Sequence, residues 1–291
     1  MKDLTANNVF DIARIRTSKA LNLVASGLAS FDDLACDSNA FDSLSEKQQL
    51  QVLVEVNSLG PQVDKAEISE FLDSLWYPLY FLDFETFQEA IPSFDNQKPY
   101  EQMASQFSLH WIEAPNGHLK HTEFLGETDA DPRRQIAERL CQDIPVGACV
   151  LAWNMGFEKG RIRAMAELFP DLASRLMSIH GNVRDLMTPF QRQHFYMREM
   201  EGSCSIKKVL PALFPNDPDL DYSALPDIHN GGEAAAAFRH LGELPTSEQE
   251  IVRKRLLRYC ELDTLAMVKI WGKAQRGVRL ASRQLLRLHS S

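Results

Sequence analysis

Leu79-Tyr80-Phe81-Leu82-Asp83-Phe84-Glu85-Thr86-Phe87 is an apolar, aromatic run with Pro78 before it and Pro92 after it, and it carries two acids. Its length and composition predict a buried central strand. Asp83 and Glu85 are two residues apart, so in a strand they project from the same face. Buried carboxylates must be paired, protonated or bound to a cation, unless the strand end reaches water and leaves both hydrated. Closely spaced oxygen ligands suit Mg²⁺ or Mn²⁺.

Downstream, Phe107, Leu109 and Trp111 alternate with Gln106, Ser108 and His110, the pattern of a half-buried strand. Asn116-Gly117 predicts a hairpin into a third strand near 119–125. Asp131-Pro132 opens a helix, with Asp as cap and Pro in the first turn. Cys149 to Trp153 reads as a short buried strand, followed by a helix from about Phe157. Strands, helix, strand and helices in this order predict an α/β fold: a mixed sheet flanked by helices, with an antiparallel hairpin edge.

Residues 1–75 predict a small helical module. Ala13 to Ser26 is amphipathic, Gly27 interrupts it, and Ser30 caps a new helix. This stretch resembles a single helix-hairpin-helix unit, whose glycine turn would offer N–H groups to a phosphate; a plain packing module fits as well. Residues 44–75 add about two helices. In the Pro-rich stretch 170–247, helices are expected after Ser205 and after Gly231-Gly232. Ser247 and Glu250 form a capping box that starts a long helix to about Lys273, with a separate basic helix over 275–291. The expected domains are thus 1–75, 76–274 and the terminal helix 275–291.

The 291 residues are 44% apolar and 24% charged, the balance of a soluble globular protein, and no apolar run is long enough to cross a bilayer. No signal peptide opens the chain, and the five widely spaced cysteines form no CxxC pair, which speaks against a disulfide framework or zinc ribbon. A cytoplasmic location follows. The net charge of −9 by itself argues against a general nucleic-acid coat. The charge is uneven, however. Residues 1–130 carry 8 Lys and Arg against 21 Asp and Glu, while residues 248–291 carry 10 against 4. An acidic centre with a basic end suits an enzyme that holds cations and touches phosphates; a solvated basic helix is the plainer account.

Further candidates lie along the chain. Tyr259 and Asp263 are four apart on a helix and share a face. Glu158 follows Ala152-Trp153-Asn154-Met155-Gly156-Phe157 at a strand-to-helix turn, where side chains aim into a cleft. Asp185 is an alternative fourth acid, or a cap or salt-bridge residue. Lys207 and Lys208 follow Ser205 at a helix start and are candidate phosphate contacts, or a solvated helix start. Trp153, Phe84 and Phe87 could stack a terminal base, though aromatics beside a buried strand are more often core. His118-x-x-His121 sits on the hairpin without partner ligands in sequence and carries no site reading.

Asp-x-Glu on a first strand, Asn-x-x-Phe-acid after a later strand and Tyr-x-x-x-Asp on a last helix resemble the three exonuclease motifs of the DEDD superfamily, which has an RNase H-like fold. Tyr259, four before Asp263, resembles the Tyr subtype; the other subtype has His five before, where Arg258 stands here. The middle motif normally ends in Asp, and here it is Glu158. YFLDFETF, WNMGFEKGRI, GSCSIKKVLP and YCELDT are similar to an uncharacterised bacterial family known as domain of unknown function 2779. In that family the exonuclease-like domain often follows a Cas4- or RecB-like nuclease part. The superfamily resemblance implies a 3′–5′ exonuclease acting on single-stranded DNA or RNA with two ions, Mg²⁺ or Mn²⁺. It implies that Asp83 bridges both, that Glu85 and Asp263 hold one, that Glu158 supports the other, and that Tyr259 orients the nucleophile. Thr86, Asn154, Phe157, Lys207 and Lys208 would contact substrate. The alternatives are a catalytically weakened RNase H-like binding or scaffold protein and an RNase H-type endonuclease or transposase core.

Overall fold

The computed structural model describes residues 6–220, 225 and 227–288, the last eleven by their helical backbone alone. The chain forms two compact units: Met1–Leu72 with Met187–Asn216, and Asp73–Leu186 with Asp217–Ser291. Among the described residues no helix is long and apolar enough to cross a membrane.

The second unit is a five-stranded mixed sheet. Its strands are β1 (Leu79–Phe87), β2 (Met103–Ile112), β3 (Lys120–Leu125), β4 (Cys149–Ala152) and β5 (Val183–Asp185). They lie in the order β3-β2-β1-β4-β5. β2 is antiparallel to both neighbours, whereas β1, β4 and β5 run parallel. Five strands in this order, flanked by helices, make an RNase H-like α/β fold.

The alternation along β1 divides its side chains between two layers. Tyr80, Leu82 and Phe84 join a core with helices α1 (Arg133–Asp143), α2 (Gly156–Leu168) and α3 (Pro170–Asn182). Phe81 and Phe87 lie on the other face, against Trp271 of helix α5 (Thr246–Leu288) and Phe238 of helix α4 (Gly231–His240) respectively. Asp83 and Glu85 share the parity of Phe81 and Phe87, and so belong to the α4/α5 face.

The expectation that β2 is half-buried is corrected, because its polar residues are buried too. They face α5 and bond to it, although Gln106 Oε1 is buried without a partner. Gln106 Nε2 donates to the Leu256 carbonyl at 3.1 Å, and Ser108 Oγ and His110 Nδ1 lie 2.7 and 2.8 Å from Thr264 Oγ1. Alternation marked two chemically distinct packing faces rather than core and water.

The expected break between a helix ending near Lys273 and a basic helix at 275–291 is also absent. One helix runs from Thr246 to Leu288, since Gly272 and Gly277 take no positive φ and no proline interrupts it. Residues 289–291 lie outside the described residues. The helix starts one residue before the expected cap, with the Pro245 carbonyl accepting from Glu248 and Gln249.

The first unit is helical around Val9, Ile12, Phe31, Leu34 and Val52. Residues 187–216, expected within the sheet domain, belong here instead. A two-residue antiparallel ladder pairs Gln62-Val63 with Phe195-Tyr196, and the Tyr196 hydroxyl accepts from Gly202 N–H at 3.1 Å. The glycine turn does not offer amides to a phosphate, in contrast to a helix-hairpin-helix unit. Gly27 (φ 88°) and Leu28 donate to the Val24 and Leu23 carbonyls, closing the helix end, while Ala29 and Ser30 donate to Asp33 Oδ2.

Candidate metal centre

Asp83 and Glu85 stand on β1, and Asp263 comes from the buried stretch of α5 that crosses the same face. A carboxylate oxygen from each lies within 4.8 Å of the others. A β-bulge falls at this point: Glu85 pairs with Gln106 but Thr86 pairs with Ala104, leaving Ser105 as the extra residue on β2. Ser105 Oγ donates to the Glu85 carbonyl at 3.1 Å, which pins the strand just where the register shifts past the acids. Gly231, first residue of α4, closes on Glu85; a Cβ there would stand 3.2 Å from Glu85 Oε2.

Burial pushes the Asp83 carboxyl well above the ordinary carboxylate range, and the charges of Asp263, Glu85 and Glu158 push it further. The Cys260 thiol opposes this weakly, with Sγ 3.6 Å from Asp83 Oδ2. Glu158 occupies the first turn of α2, where the helix dipole favours an anion. It is nonetheless 2% exposed, its Oε2 is buried without a hydrogen-bond partner, and burial pushes its carboxyl up to about 8, with Asp185 and Glu85 contributing. Tyr259 is buried; burial, then Asp263, Glu85 and Asp83, raise its hydroxyl above the usual phenolic value, so it stays protonated. The five acids and the tyrosine thus form one electrostatic group.

This donor set fits hard divalent cations. Three carboxylates within ligand-sharing distance and a buried carboxylate oxygen without a partner are groups that Mg²⁺ or Mn²⁺ would satisfy. Asp83, Glu85 and Asp263 are the residues that could hold such an ion, and Glu158 is a further carboxylate whose charge Asp83 feels.

The remaining expected residues divide. Asn154 is exposed at φ 69°, and its N–H donates to Asp185 Oδ1 at 3.0 Å. Asp185 is therefore the tie that holds the turn ahead of Glu158, as well as a charge beside it. Phe157 is half-buried against the main core, with the Arg161 guanidinium 5.5 Å from its ring centre, and Thr86 is half-buried just past the bulge. Lys207 and Lys208 belong to the helical unit rather than to the unit bearing the acids, and Lys208 Nζ pairs with Glu201 at 2.6 Å. Phe84 and Phe87 are core, and Trp153 is half-buried. Sequence reasoning did not reach Cys260, the Ser105 bulge or the approach of Gly231. Cys260 was findable, since it lies between Tyr259 and the acids on a helix turn that faces the sheet.

The family described as Domain of unknown function (DUF2779) matches residues 80–205, which include β1 through the strand-to-helix turn at Glu158 but not α5. The chain is 27% identical over 209 residues to an uncharacterised protein, MG366, of Mycoplasma genitalium, covering 65% of this chain and 31% of that protein. It is 26% identical over 212 residues to an uncharacterised protein, UU173, of Ureaplasma parvum, covering 65% of this chain and 30% of that protein. The chain thus spans about a third of the length of the curated relatives it matches. No solved structure matches it.

Proposed function

We propose that this chain is a metal-dependent 3′–5′ exonuclease that hydrolyses phosphodiester bonds of single-stranded DNA or RNA. The observation that carries the reading is the convergence of Asp83, Glu85 and Asp263 within 4.8 Å, with Tyr259 and Glu158 in the same electrostatic group. When bound, two divalent cations supply a water of lowered pKa and neutralise charge on the phosphate. The protein's own part is positional. Asp83 is central to the carboxylates, feels the charges of Asp263, Glu85 and Glu158, and is the residue suited to bridge. Glu85 and Asp263 flank it. Tyr259 keeps its proton and so can orient a nucleophilic water by hydrogen bonding rather than act as a base. The longer relatives leave room for a further module, and a Cas4- or RecB-like nuclease partner is part of the proposal.

A catalytically weakened binding or scaffold protein is the second reading. It is favoured by the Glu158 carboxyl, whose elevated pKa of about 8 keeps it neutral at pH 7 without a cation. Purified protein with Mn²⁺ and a 5′-labelled single strand separates the two. Stepwise shortening from a free 3′ end, protection by a blocked 3′ end and loss of turnover in Asp83→Ala are expected. Tight binding with the strand left intact in Mg²⁺, Mn²⁺ and Co²⁺ alike would overturn the exonuclease.

A further inference from the structure

We propose a second metal site in the same unit, taking a zinc-like divalent cation on His110, His121 and Glu261. A ligand atom from each lies within 4.8 Å of the others. The three residues come from three different elements. His110 of β2 and His121 of β3 are direct cross-strand partners whose ring centres are 4.4 Å apart, and Glu261 stands on α5. Two imidazoles and one carboxylate are a zinc donor set, softer than the all-oxygen group around Asp83.

The hydrogen bonds around the pair hold both rings in place. Thr264 Oγ1 lies 2.8 Å from His110 Nδ1 and 2.7 Å from Ser108 Oγ, and Ser108 Oγ lies 3.0 Å from His121 Nε2. One nitrogen of each ring is thus oriented by a hydroxyl, the kind of support that positions ligating histidines.

Charge is consistent with this. Burial, and then His121, push the His110 pKa down to about 4, and burial lowers His121 also, so both rings are neutral at pH 7 and no proton competes for the lone pairs. Arg258 Nη1 holds Glu261 Oε2 at 2.7 Å, and Glu123 adds a carboxylate 3.9 Å from His121 Nε2. Three protein ligands leave a fourth tetrahedral position for water. A cation here would staple β2 and β3 to α5 at Glu261, two residues before Asp263, and Ser108 pairs directly with Asp83. Occupancy therefore fixes the rotation of the helix that carries Asp263. The site does not depend on how the carboxylates function.

The test uses the full chain stripped with chelator. Zn²⁺ is titrated by calorimetry and Co²⁺ by visible absorption, in wild type and in an Asp83→Asn background that removes the central carboxylate. One Zn²⁺ per chain is expected in the Asp83→Asn background, and wild type should fill the same site beside whatever the carboxylates take up, with Co²⁺ giving the intense visible bands of a four-coordinate nitrogen-containing site. His121→Gln and Glu261→Gln should each weaken Zn²⁺ by at least about tenfold, while the neighbouring His118→Gln changes nothing. Circular dichroism checks each fold; if His121→Gln unfolds, the more exposed Glu261→Gln decides. Failure of wild type to take up Zn²⁺, equal uptake in Glu261→Gln, or loss of Zn²⁺ binding in Asp83→Asn would each overturn the site.

Discussion

Replacing Glu158 by glutamine keeps the shape of the side chain and removes its ionisation. In the folded chain burial raises this carboxyl from 4.5 to about 8. The sign follows from proton counting. Between these two values the unfolded chain has lost its proton while the folded chain retains it, so stability falls as pH rises. A one-proton difference between the two states changes stability by about 1.4 kcal/mol for every pH unit crossed. Raising the pH from 4.5 to 7 therefore costs about 3 kcal/mol, and the whole interval to pH 8 costs about 5 kcal/mol. Glu158→Gln cannot ionise and loses this dependence. In chelator its urea midpoint should match wild type near pH 4.5 and exceed it increasingly up to about pH 8, where the difference levels off. Taking the difference between the two proteins cancels the titrating groups that do not feel Glu158; Asp83 does feel it, and loses one of the charges that raise it. Saturating Mn²⁺ should shrink the gap, because a cation that binds the ionised form restores part of what burial removed. Parallel pH profiles, with the glutamine variant less stable than wild type at pH 7, would refute the reasoning and show Glu158 ionised and satisfied in the metal-free fold.

Asp83→Asn should abolish the rise in melting temperature that Mg²⁺ or Mn²⁺ gives wild type, and should itself melt higher than wild type in chelator, measured by scanning fluorimetry. Tyr259→Phe loses only the hydroxyl and should lower turnover of a single strand by roughly one to three powers of ten with KM near normal. Gly126→Ala would bring a Cβ to 2.4 Å from Pro132 Cβ and should cost about 1–3 kcal/mol in urea unfolding, through displaced backbone rather than lost contacts. Gly231→Ala crowds Glu85 Oε2 at 3.2 Å, so it should weaken Mn²⁺ binding more than it lowers stability.

The sheet and its acids were legible wherever chemistry repeats at a fixed period. Asp83 and Glu85 share a face because strands alternate, and Tyr259 and Asp263 share one because helices turn every 3.6 residues. What sequence could not supply was the partner across each face. The polar residues of β2 read as solvent-facing, because nothing local reveals that α5 lies over them with Leu256 and Thr264 positioned to bond. His121 looks isolated beside His118, since its neighbours are eleven residues back across a hairpin and 140 residues on along the chain. The Ser105 bulge leaves no composition signal, as its serine is ordinary and its effect lies in register. Asp185 reads as a cap-like residue, but its bond to Asn154 N–H is set by the parallel pairing of β4 with β5, which only topology provides. Proximity in sequence assigns residues 187–216 to the sheet domain, and a two-residue ladder overrides it.

Six consecutive positions of α5, Tyr259 to Glu261 and Leu262 to Thr264, are all buried or half-buried. At 100° per residue they sweep more than a full revolution, so this stretch has no water-facing side. Elsewhere on a surface helix, tolerance to random substitution rises and falls every three to four residues. Here that rhythm should vanish: a saturation library scored for folded protein would show a continuous intolerant block, bounded by the permissive exposed position Arg258 on one side. Such a block cannot drift one residue at a time. Change within it has to arrive as several substitutions at once, or on a background stable enough to carry the first of them.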